Sequence, residues 1–398
     1  MTIDAVNDVH WDPYDIEIYR DPYPTFRRLR EEAPLYYNEQ FDFYALSHYD
    51  DVERVLVDRA SYSAARGASL DQIRSGMSFP PGSLIFEDPP IHTHRRHMLS
   101  RVFTPKRMSG LESSIREFCV RCLDPLVGAG RFDFMVDLGN TMPMRMIGML
   151  LGIPEQDQDA IKTWADSTLE SKPGEPWDPP KDLVDGEVFA EYVEWRVKHP
   201  SDDLMTELLQ AEFEDGTATR RRLTRGEVLT YINVLAVAGN ETTGRLIGWI
   251  GKLLGDHPDQ RRLLVNDPSL IPSAVEEVLR YEPPGLAAAR YVTRDVEFCG
   301  QTVPAGSALL PLLGSANRDE RQFPNGDAFD VTRPITQHLT FGLGMHFCLG
   351  AALARAEGRI ALEEILVRFP DWEIDGENAT MASTTTVRGW ATLPAITS

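Results

Sequence analysis

Apolar residues recur every three to four positions along most of the chain, as they do on one face of an α-helix. The longest such segment runs from residue 224 to 255, and Thr224 with Glu227 has the spacing of an N-terminal capping box. Gly255 and Pro258 can end this helix. Its centre, VLAVAG, is apolar on every face, so we expect the helix to cross the core.

Shorter segments predict a minor β region. PLYYNEQFDFYAL alternates aromatic and polar residues around a turn, which is typical of a β-hairpin, and ARYVTRDVEFCGQTVPAGSALL contains short strand patterns between glycine turns. Residues 63 to 90 are rich in Gly, Ser and Pro and predict a long loop, a kind of segment that is often functional. No linker-like tract divides the chain. We therefore predict one mainly α domain with a minor β region over residues 1 to 398, with residues 1 to 11 as a disordered tail.

The charge balance argues against one broad class of function. The 398 residues include 40 Lys and Arg against 61 Asp and Glu, which gives a formal net charge of −21. A duplex nucleic-acid binder needs a dense basic face, so we expect no nucleic-acid partner. The acidic N-terminus lacks the apolar stretch of a signal peptide, and no apolar run approaches the roughly 20 residues that span a bilayer. We expect a cytoplasmic protein without a membrane anchor.

The sequence around three of the four cysteines does not indicate a binding site. Cys119 and Cys122 form C-x-x-C inside a helical pattern, but no second pair exists to complete a zinc site. We interpret these two as partly buried helical thiols. The scattered cysteines, Cys299 included, predict no disulfide framework, so a reducing compartment is expected.

The fourth cysteine stands in the stretch FGLGMHFCLG, residues 341 to 350. Gly342 and Gly344 permit positive φ and let the backbone approach a flat group closely. A helical pattern begins just after Cys348, and the positive end of its dipole favours thiolate over thiol. A single open thiolate suits an axial metal ligand, and a thiolate-bound haem iron is biased toward O–O cleavage. The alternative is a glycine-rich turn with an incidental cysteine.

This stretch resembles the haem-binding signature of the cytochrome P450 family. EEVLR resembles the family's E-x-x-R pair, ANRD and FPNGDAFDVTRP its segment before the Cys loop, and DPPIHTHRR the bacterial DPP-x-H-x-x-x-R segment. From about residue 12 to 390 the order of elements is similar to that of a soluble bacterial member. The resemblance implies a cytochrome P450-like fold, with haem b between the long central helix and the Cys-loop helix. The matched signature residues are Phe341, Gly342, Gly344, His346, Cys348 and Gly350, and Cys348 takes the place of the proximal thiolate.

The resemblance also implies that AGNET, residues 238 to 242, is the family's acid–alcohol motif. Ala238 and Gly239 would contact the cofactor, and Gly239 would leave room for dioxygen. Thr242 would donate a hydrogen bond to the dioxygen, and Glu241 would relay protons from solvent. From the residues alone, Thr242 could instead bond the i−4 carbonyl of its own helix, and Glu241 could form an internal ion pair. A local widening of the helix would be typical of a π-bulge at a functional site.

Two sets of charged residues gain a role from the resemblance. One set is expected to bind the haem propionates, for which Arg is well suited, and the other to buttress the Cys loop without taking part in catalysis. Each member could instead be an ordinary surface charge. The propionate set is His92, Arg96, Arg290 and His346, and the structural set is Glu277, Arg280 and Arg333.

By the same resemblance, small apolar residues line the substrate pocket, which suits a bulky apolar molecule of the steroid, terpenoid, fatty acid or polyketide class. Arg66 and Arg74 could pair with a substrate carboxylate, with solvent exposure as the alternative. The expected lining residues are Val234, Val237, Ala238, Leu286, Ala287, Ala288, Thr385, Thr386 and Val387.

The expected function is that of a haem-thiolate monooxygenase that hydroxylates such a molecule with O2. NAD(P)H would supply electrons through a reductase and a separate ferredoxin or flavodoxin, because the chain ends soon after the catalytic domain. We expect a monomer. Two alternatives stay open: a peroxide-driven or oxidative-coupling haem-thiolate enzyme, and a non-catalytic haem sensor. A basic patch that would steer an acidic partner, or else a mixed-charge surface, is formed by Arg95, Arg101, Lys106, Arg107 and Arg355.

Overall fold

Helices form most of the molecule and surround one long central helix. The structure, a computed structural model, describes residues 9–100, 103–104, 107–108, 110–178, 186–215, 219–384 and 386–397. Within these ranges the α-helices are α1 Ile16–Arg20, α2 Tyr23–Glu32, α3 Tyr49–Val57, α4 Leu70–Ser75, α5 Ile91–Ser100, α6 Glu112–Leu123, α7 Met142–Leu151, α8 Glu155–Leu169, α9 Ala190–Lys198, α10 Leu204–Gln210, α11 Arg225–Asp256, α12 Pro258–Asn266, α13 Ile271–Tyr281, α14 Leu313–Ala316 and α15 Ala351–Arg368. Short 3-10 turns lie at Leu84–Phe86, Asp124–Leu126, Glu187–Phe189, Pro268–Leu270 and Gly344–His346.

The strands are short and form small sheets at the edge of the helical body. They are β1 Leu35–Asn38, β2 Phe43–Leu46, β3 Tyr62–Ser63, β4 Arg131–Asp133, β5 Glu212–Glu214, β6 Arg220–Arg222, β7 Arg290–Val292, β8 Val296–Phe298, β9 Gln301–Val303, β10 Ala308–Pro311, β11 Trp372–Ile374, β12 Thr380–Met381, β13 Trp390–Thr392 and β14 Pro394–Thr397. The largest sheet has the order β1-β2-β10-β7-β3, and a second has the order β11-β14-β4. β1 and β2 pair antiparallel, which confirms the predicted hairpin. The predicted mainly α fold with a minor β region is confirmed.

The central helix α11 is the element that the sequence predicts best. Thr224 and Glu227 form the predicted capping box, in which each side chain accepts a hydrogen bond from the other residue's backbone N–H. The helix contacts α7, α8, α13 and α15, so it crosses the core as expected. The expected widening at residues 238 to 242 is wrong, because the helix is regular from Arg225 to Asp256 and its N–H groups keep their i−4 carbonyls. A π-helical segment occurs instead at Phe134–Gly139, which packs against α11.

The start of the described chain is packed, not loose. Val9 and Trp11 are each about 5% exposed. The Trp11 ring meets the rings of Phe26 and Phe43 edge-on, with centroids 6.0 and 5.4 Å apart. The predicted disordered tail is therefore wrong for residues 9 to 11, because burial of these apolar side chains outweighs the entropy of ordering the segment. Residues 1–8 lie outside the described residues, and the single domain over residues 1 to 398 stays a prediction.

The segment predicted as a loop, residues 63 to 90, contains ordered turns. Ser69 and Gln72 form a capping box that starts α4, and Gly76 ends that helix with a left-handed φ of 63°. Local hydrogen bonds of this kind can form a helix too short to show an amphipathic period. In the part of the chain that the structure describes, no helix is both long and apolar enough to cross a membrane.

Candidate haem site and substrate cavity

Cys348 lies in a tight loop between the 3-10 turn Gly344–His346 and α15. Gly342 and Gly344 adopt φ of 66° and 65°, which confirms the backbone form that the sequence predicts. The backbone N–H of Cys348 donates to the carbonyl of Phe341 over 2.8 Å and closes the loop. Gly350 caps α15, whose first residue is Ala351. A side chain at Gly344 would stand 3.1 Å from a backbone carbonyl of α3, so the loop packs closely against that helix.

Two opposing effects act on the Cys348 thiol. Its side chain keeps an open surface, but the dense protein around it desolvates the sulfur and raises its pKa. The backbone N–H groups of Gly350 and Ala351 and the charges of Arg96 and Arg355 act in the opposite direction. The two N–H groups at the start of α15 favour the thiolate, but burial outweighs them, so the predicted preference for thiolate over thiol is not met in the free side chain. A metal cation at the sulfur would reverse the balance, because a coordinating thiol is deprotonated.

Four nitrogen-bearing side chains that were predicted as propionate partners lie together beside this loop. The rings of His92 and His346 are 4.5 Å apart between centroids. Burial and the neighbouring cations lower the pKa of His92 to about 4 and that of His346 to about 3, and burial lowers the pKa of Arg290 to about 10. Arg96 also contributes to the low pKa of both histidines. The charge of Asp88 opposes these effects on the pKa values of His92 and Arg290.

This cluster has the chemistry of an anion site. Both ring nitrogens of His92 are buried without a hydrogen-bond partner among the described residues. A buried polar atom that lacks a partner costs free energy, and a bound carboxylate would supply acceptors for it and for the adjacent guanidinium groups. The open sulfur, the two left-handed glycines and this cluster fit haem b. Cys348 would hold the iron, and His92, Arg96, Arg290 and His346 would hold the propionates.

The predicted acid and alcohol occupy neighbouring positions of α11, and both line a cavity. Glu241 is 8% exposed, its Oε1 accepts from Arg245 Nη2 over 2.7 Å, and its Oε2 is buried with no donor among the described residues. Burial raises the pKa of Glu241. Thr242 Oγ1 donates to the carbonyl of Ala238 over 2.8 Å. Both alternatives that the residues left open, the helix back-bond and the ion pair, are thus present, and the proton-relay role stays a prediction.

Two neighbours of this pair were missed as site residues. Asn240 is 4% exposed, its Nδ2 donates to Asp166 Oδ1 over 3.1 Å, and its Oδ1 has no partner among the described residues. This bond ties α11 to α8. Arg245 lies one helical turn after Glu241, a spacing that could have indicated the ion pair. The predicted role of Gly239 stays open, because a Cβ there would meet Ile147 only at 3.8 Å, an ordinary contact.

The cavity beside Glu241 and Thr242 has a volume of about 320 Å³ and mostly apolar walls. Ala288 does not line it, because this side chain packs against the hydrophobic cluster under the largest sheet. Thr385 lies outside the described residues. The predicted residues that do line the cavity are Val234, Val237, Ala238, Leu286, Ala287, Thr386 and Val387. The wall residues that sequence reasoning missed include Trp11, Tyr14, Tyr19, Phe26, Asp71 and Trp177.

The predicted structural triad is assembled at the end of α13. Arg280 Nε and Nη2 donate to the two carboxylate oxygens of Glu277 over 2.7 and 2.8 Å, and both side chains have 0% exposure. Arg280 Nη1 also donates to the carbonyls of Asn317 and Gly326. Arg333 Nε lies 3.4 Å from Glu277 Oε1. These bonds tie α13 to the coil that precedes the Cys loop, the arrangement expected of a scaffold.

The expected basic patch is wrong for Arg95, which is 4% exposed and bridges Glu87 and Glu227 in the interior. Arg107 pairs with Glu207, and Arg355 donates to both oxygens of Glu276 over 2.6 and 2.9 Å. Pairing with acids leaves little net positive charge at these positions. Arg101 and Lys106 lie outside the described residues.

The two arginines considered as partners of a substrate carboxylate do not line the cavity. The Arg66 guanidinium lies over the Tyr291 ring, 4.1 Å from its centroid. Arg74 Nη1 donates to the carbonyl of Phe41 over 2.8 Å. Stacking and a backbone hydrogen bond hold both side chains elsewhere.

Comparison with known proteins agrees with this geometry. Residues 158–394 match the family model for cytochrome P450. The chain is 37% identical to the putative cytochrome P450 123 of Mycobacterium tuberculosis, over 96% of each chain. It is 34% identical to the vitamin D(3) 25-hydroxylase of Pseudonocardia autotrophica, over 99% of this chain and 98% of that protein.

Solved cytochrome P450 structures also match the fold of this chain. CYP109Q5 from Chondromyces apiculatus matches with a TM-score of 0.85 and 35% identity over 98% of each chain. CYP109E1 from Bacillus megaterium, solved in complex with testosterone, matches with a TM-score of 0.85 and 29% identity over 96% of this chain and 99% of that chain.

Proposed function

The chain belongs to the cytochrome P450 family, and from that premise we propose that it hydroxylates a bulky apolar molecule of the steroid, terpenoid, fatty acid or polyketide class. The enzyme is a monooxygenase that uses haem b, O2 and, through redox partners, NAD(P)H. The observation that carries the proposal is the apolar cavity of about 320 Å³, which Thr242 and Glu241 line. Cavities of this size and character bind small organic ligands. The name of one relative, a vitamin D(3) hydroxylase, and the testosterone bound to another support the same class.

In this proposal the haem supplies oxygen activation. The side chains around it bind the haem, orient the substrate and deliver protons. Cys348 binds the iron and the four-residue cluster at His92 holds the propionates. Glu241 can carry a proton at Oε2, since burial raises its pKa and Arg245 fixes the other oxygen. Thr242 can present its hydroxyl to the cavity once the bond to the Ala238 carbonyl is released by rotation about χ1. The apolar walls exclude water from the reacting carbon.

Electrons would come from NAD(P)H through a reductase and a separate ferredoxin or flavodoxin, and the enzyme would act as a monomer. The electron carrier would approach the side of the molecule that carries Cys348, because this residue would bind the iron. Reconstituted turnover with a ferredoxin and with a flavodoxin would identify the class of carrier. Light scattering during size-exclusion chromatography would give the oligomeric state.

The test is an oxygen-labelling experiment. The haem-loaded enzyme, a surrogate ferredoxin, its reductase and NADPH are incubated with steroid and terpenoid candidates under 18O2, and products are analysed by mass spectrometry. The proposal predicts a product that gains one 18O atom and depends on NADPH. Oxygenation supported by hydrogen peroxide alone would favour the peroxide-driven alternative. Absence of any oxygenated product with every ligand that shifts the haem spin state would favour the sensor.

A further inference from the structure

Gln72 brings an amide group of fixed orientation to the cavity that Glu241 and Thr242 also line. It lies in the first turn of α4 and is 8% exposed. Its Oε1 accepts hydrogen bonds from the backbone N–H groups of Ala68 and Ser69 over 2.9 and 3.2 Å. A flipped amide would turn its own N–H groups toward these two donors, so the two hydrogen bonds fix which end of the amide is oxygen.

The nitrogen end of this amide has no acceptor among the described residues. Nε2 donates to none of them, yet it keeps some accessible surface. The cavity is the open space that Gln72 lines, so the two N–H groups of Nε2 can donate into it. Its walls are mostly apolar, and a hydrogen bond is electrostatically stronger in such surroundings than in water. This atom is therefore suited to bind an acceptor oxygen on a bound molecule.

The cavity wall offers a negatively charged ligand little support. Among the described residues that line it, the one cation is Arg388, which pairs with the buried Glu282 and donates to two backbone carbonyls of α1 over 2.8 and 2.6 Å. A carboxylate at Gln72 would lose its hydration and gain a neutral donor in return, which costs free energy. The carbonyl oxygen of a ketone, ester or lactone is uncharged, so a neutral donor is enough for it.

We propose that Gln72 determines substrate specificity by donating a hydrogen bond from Nε2 to an uncharged carbonyl oxygen on an otherwise apolar molecule. The inference rests on the proposed function and narrows its substrate class to ketones, esters and lactones, because it sets aside hydrocarbons and free fatty acids. The carbonyl group is held at α4, and another part of the molecule can lie beside Glu241 and Thr242 on α11. Gln72 thus binds and orients the substrate and takes no part in oxygen activation.

The test compares matched ligands on the haem-loaded enzyme by isothermal titration calorimetry and the Soret spin-state shift. Two skeletons are used, 5α-androstane substituted at carbon 17 and a linear nonyl chain, and each carries an acetyl, isopropenyl, 1-hydroxyethyl or carboxylate group of nearly the same shape. On at least one skeleton, we expect the acetyl compound to bind about 3- to 10-fold more tightly than the isopropenyl compound, because only the acetyl group has an acceptor. The carboxylate should bind more weakly than the acetyl compound on both skeletons.

The variant Gln72→Glu keeps the capping box, since a glutamate can accept the same two backbone N–H groups, but it replaces the amide donor with a carboxylate oxygen. With this glutamate ionised at about pH 8, we expect affinity for the acetyl compound to fall about 10- to 100-fold and affinity for the isopropenyl compound to change by less than about 3-fold. The 1-hydroxyethyl compound can donate to the new carboxylate, so its affinity relative to the acetyl compound should rise. The matched control is Gln40→Glu, at an exposed position between β1 and β2 that does not line the cavity, and it should change none of these affinities.

Equal affinities of the unmodified enzyme for the acetyl and isopropenyl compounds on both skeletons would overturn the inference. So would tightest binding of the carboxylate, no binding of either acetyl compound, or equal losses for the acetyl and isopropenyl compounds in Gln72→Glu. The ranking by the unmodified enzyme needs no variant to fold. Preference for the acetyl compound without any oxygenated product would contradict the proposed function alone. Oxygenated product without this preference would overturn the inference alone.

Discussion

The buried carboxyl of Glu357, on α15, should make the stability of the protein depend on pH. It lies on α15, is 2% exposed, and its Oε2 has no hydrogen-bond donor in the part of the chain that the structure describes. Burial alone raises the pKa of its carboxyl from 4.5 to about 8. The folded protein therefore binds a proton at neutral pH that the unfolded chain releases. Stability from this group is fully present below pH 4.5, falls as pH rises and levels off above about pH 8.

The size of the effect follows from the two pKa values. Each pH unit between them costs about 1.4 kcal/mol of unfolding free energy. With 4.5 for the unfolded and about 8 for the folded carboxyl, the loss between pH 6 and pH 8.5 is about 2.5 kcal/mol. Glu357→Gln removes the titrating group and keeps the shape. The stability of the variant relative to the parent should therefore rise by about 2.5 kcal/mol over that interval.

The assay is urea denaturation of the haem-loaded protein, followed by far-ultraviolet circular dichroism at several values between pH 6 and 8.5. The difference in unfolding free energy between variant and parent at each pH cancels the contributions of the other titrating groups. Glu31→Gln, a substitution at an exposed glutamate of α2, is the control and should give a flat difference. A flat difference for Glu357→Gln as well would refute the reasoning, since it would mean that the buried carboxyl is not protonated in the folded protein.

Two further predictions concern the scaffold and the acid–alcohol pair. Arg280→Ala should lower the free energy of unfolding by about 3 to 5 kcal/mol, because it leaves the carboxylate of Glu277 buried and unpaired. The exposed pair of Arg20 and Glu17 has the same spacing, so Arg20→Ala should cost under about 1 kcal/mol in the same urea assay, and equal losses would contradict the argument. Thr242→Ala should keep consuming NAD(P)H while hydroxylated product falls roughly 10-fold or more and peroxide rises. The control is Thr243→Ala, at a position that does not line the cavity, and it should keep NAD(P)H consumption coupled to product formation. If NAD(P)H consumption stayed tightly coupled to product formation in Thr242→Ala, Thr242 would have no role in proton delivery.

Features that depend on local sequence could be predicted well. The capping box of α11, the left-handed glycines of the Cys loop and the hairpin of β1 and β2 each arise from residues close together in the chain. The Glu277 and Arg280 pair is local as well, although its complete burial depends on the coil that folds over it. The family signature added the distant partners of the haem, which periodicity could not supply.

Contacts between distant segments could not be predicted in the same way. Nothing in the sequence near Trp11 says that its ring meets Phe26 and Phe43, so the segment resembled a tail. Arg95 looked like a surface charge because its two acid partners lie 8 and 132 positions along the chain. The cavity wall at Asp71 and Tyr14 depends on a hydrogen bond between residues 57 positions apart.

The regular course of α11 has a consequence for the acid–alcohol pair. A widened helix would free the Ala238 carbonyl, but in the regular helix this carbonyl accepts the Thr242 hydroxyl over 2.8 Å. The alcohol must therefore exchange this bond for a new one before it can act in the cavity. The exchange is local, since it needs only a change of one side-chain torsion.

We propose that Cys348 is the thiolate ligand of a haem iron. The most direct measurement is the absorption spectrum of the reduced carbon monoxide complex of the purified protein and of Cys348→Ser. The parent should show the far-red-shifted Soret band of thiolate ligation, and the variant should lose this band while its fold, followed by far-ultraviolet circular dichroism, is retained. A red-shifted band that survives in Cys348→Ser would rule out Cys348 as the thiolate ligand.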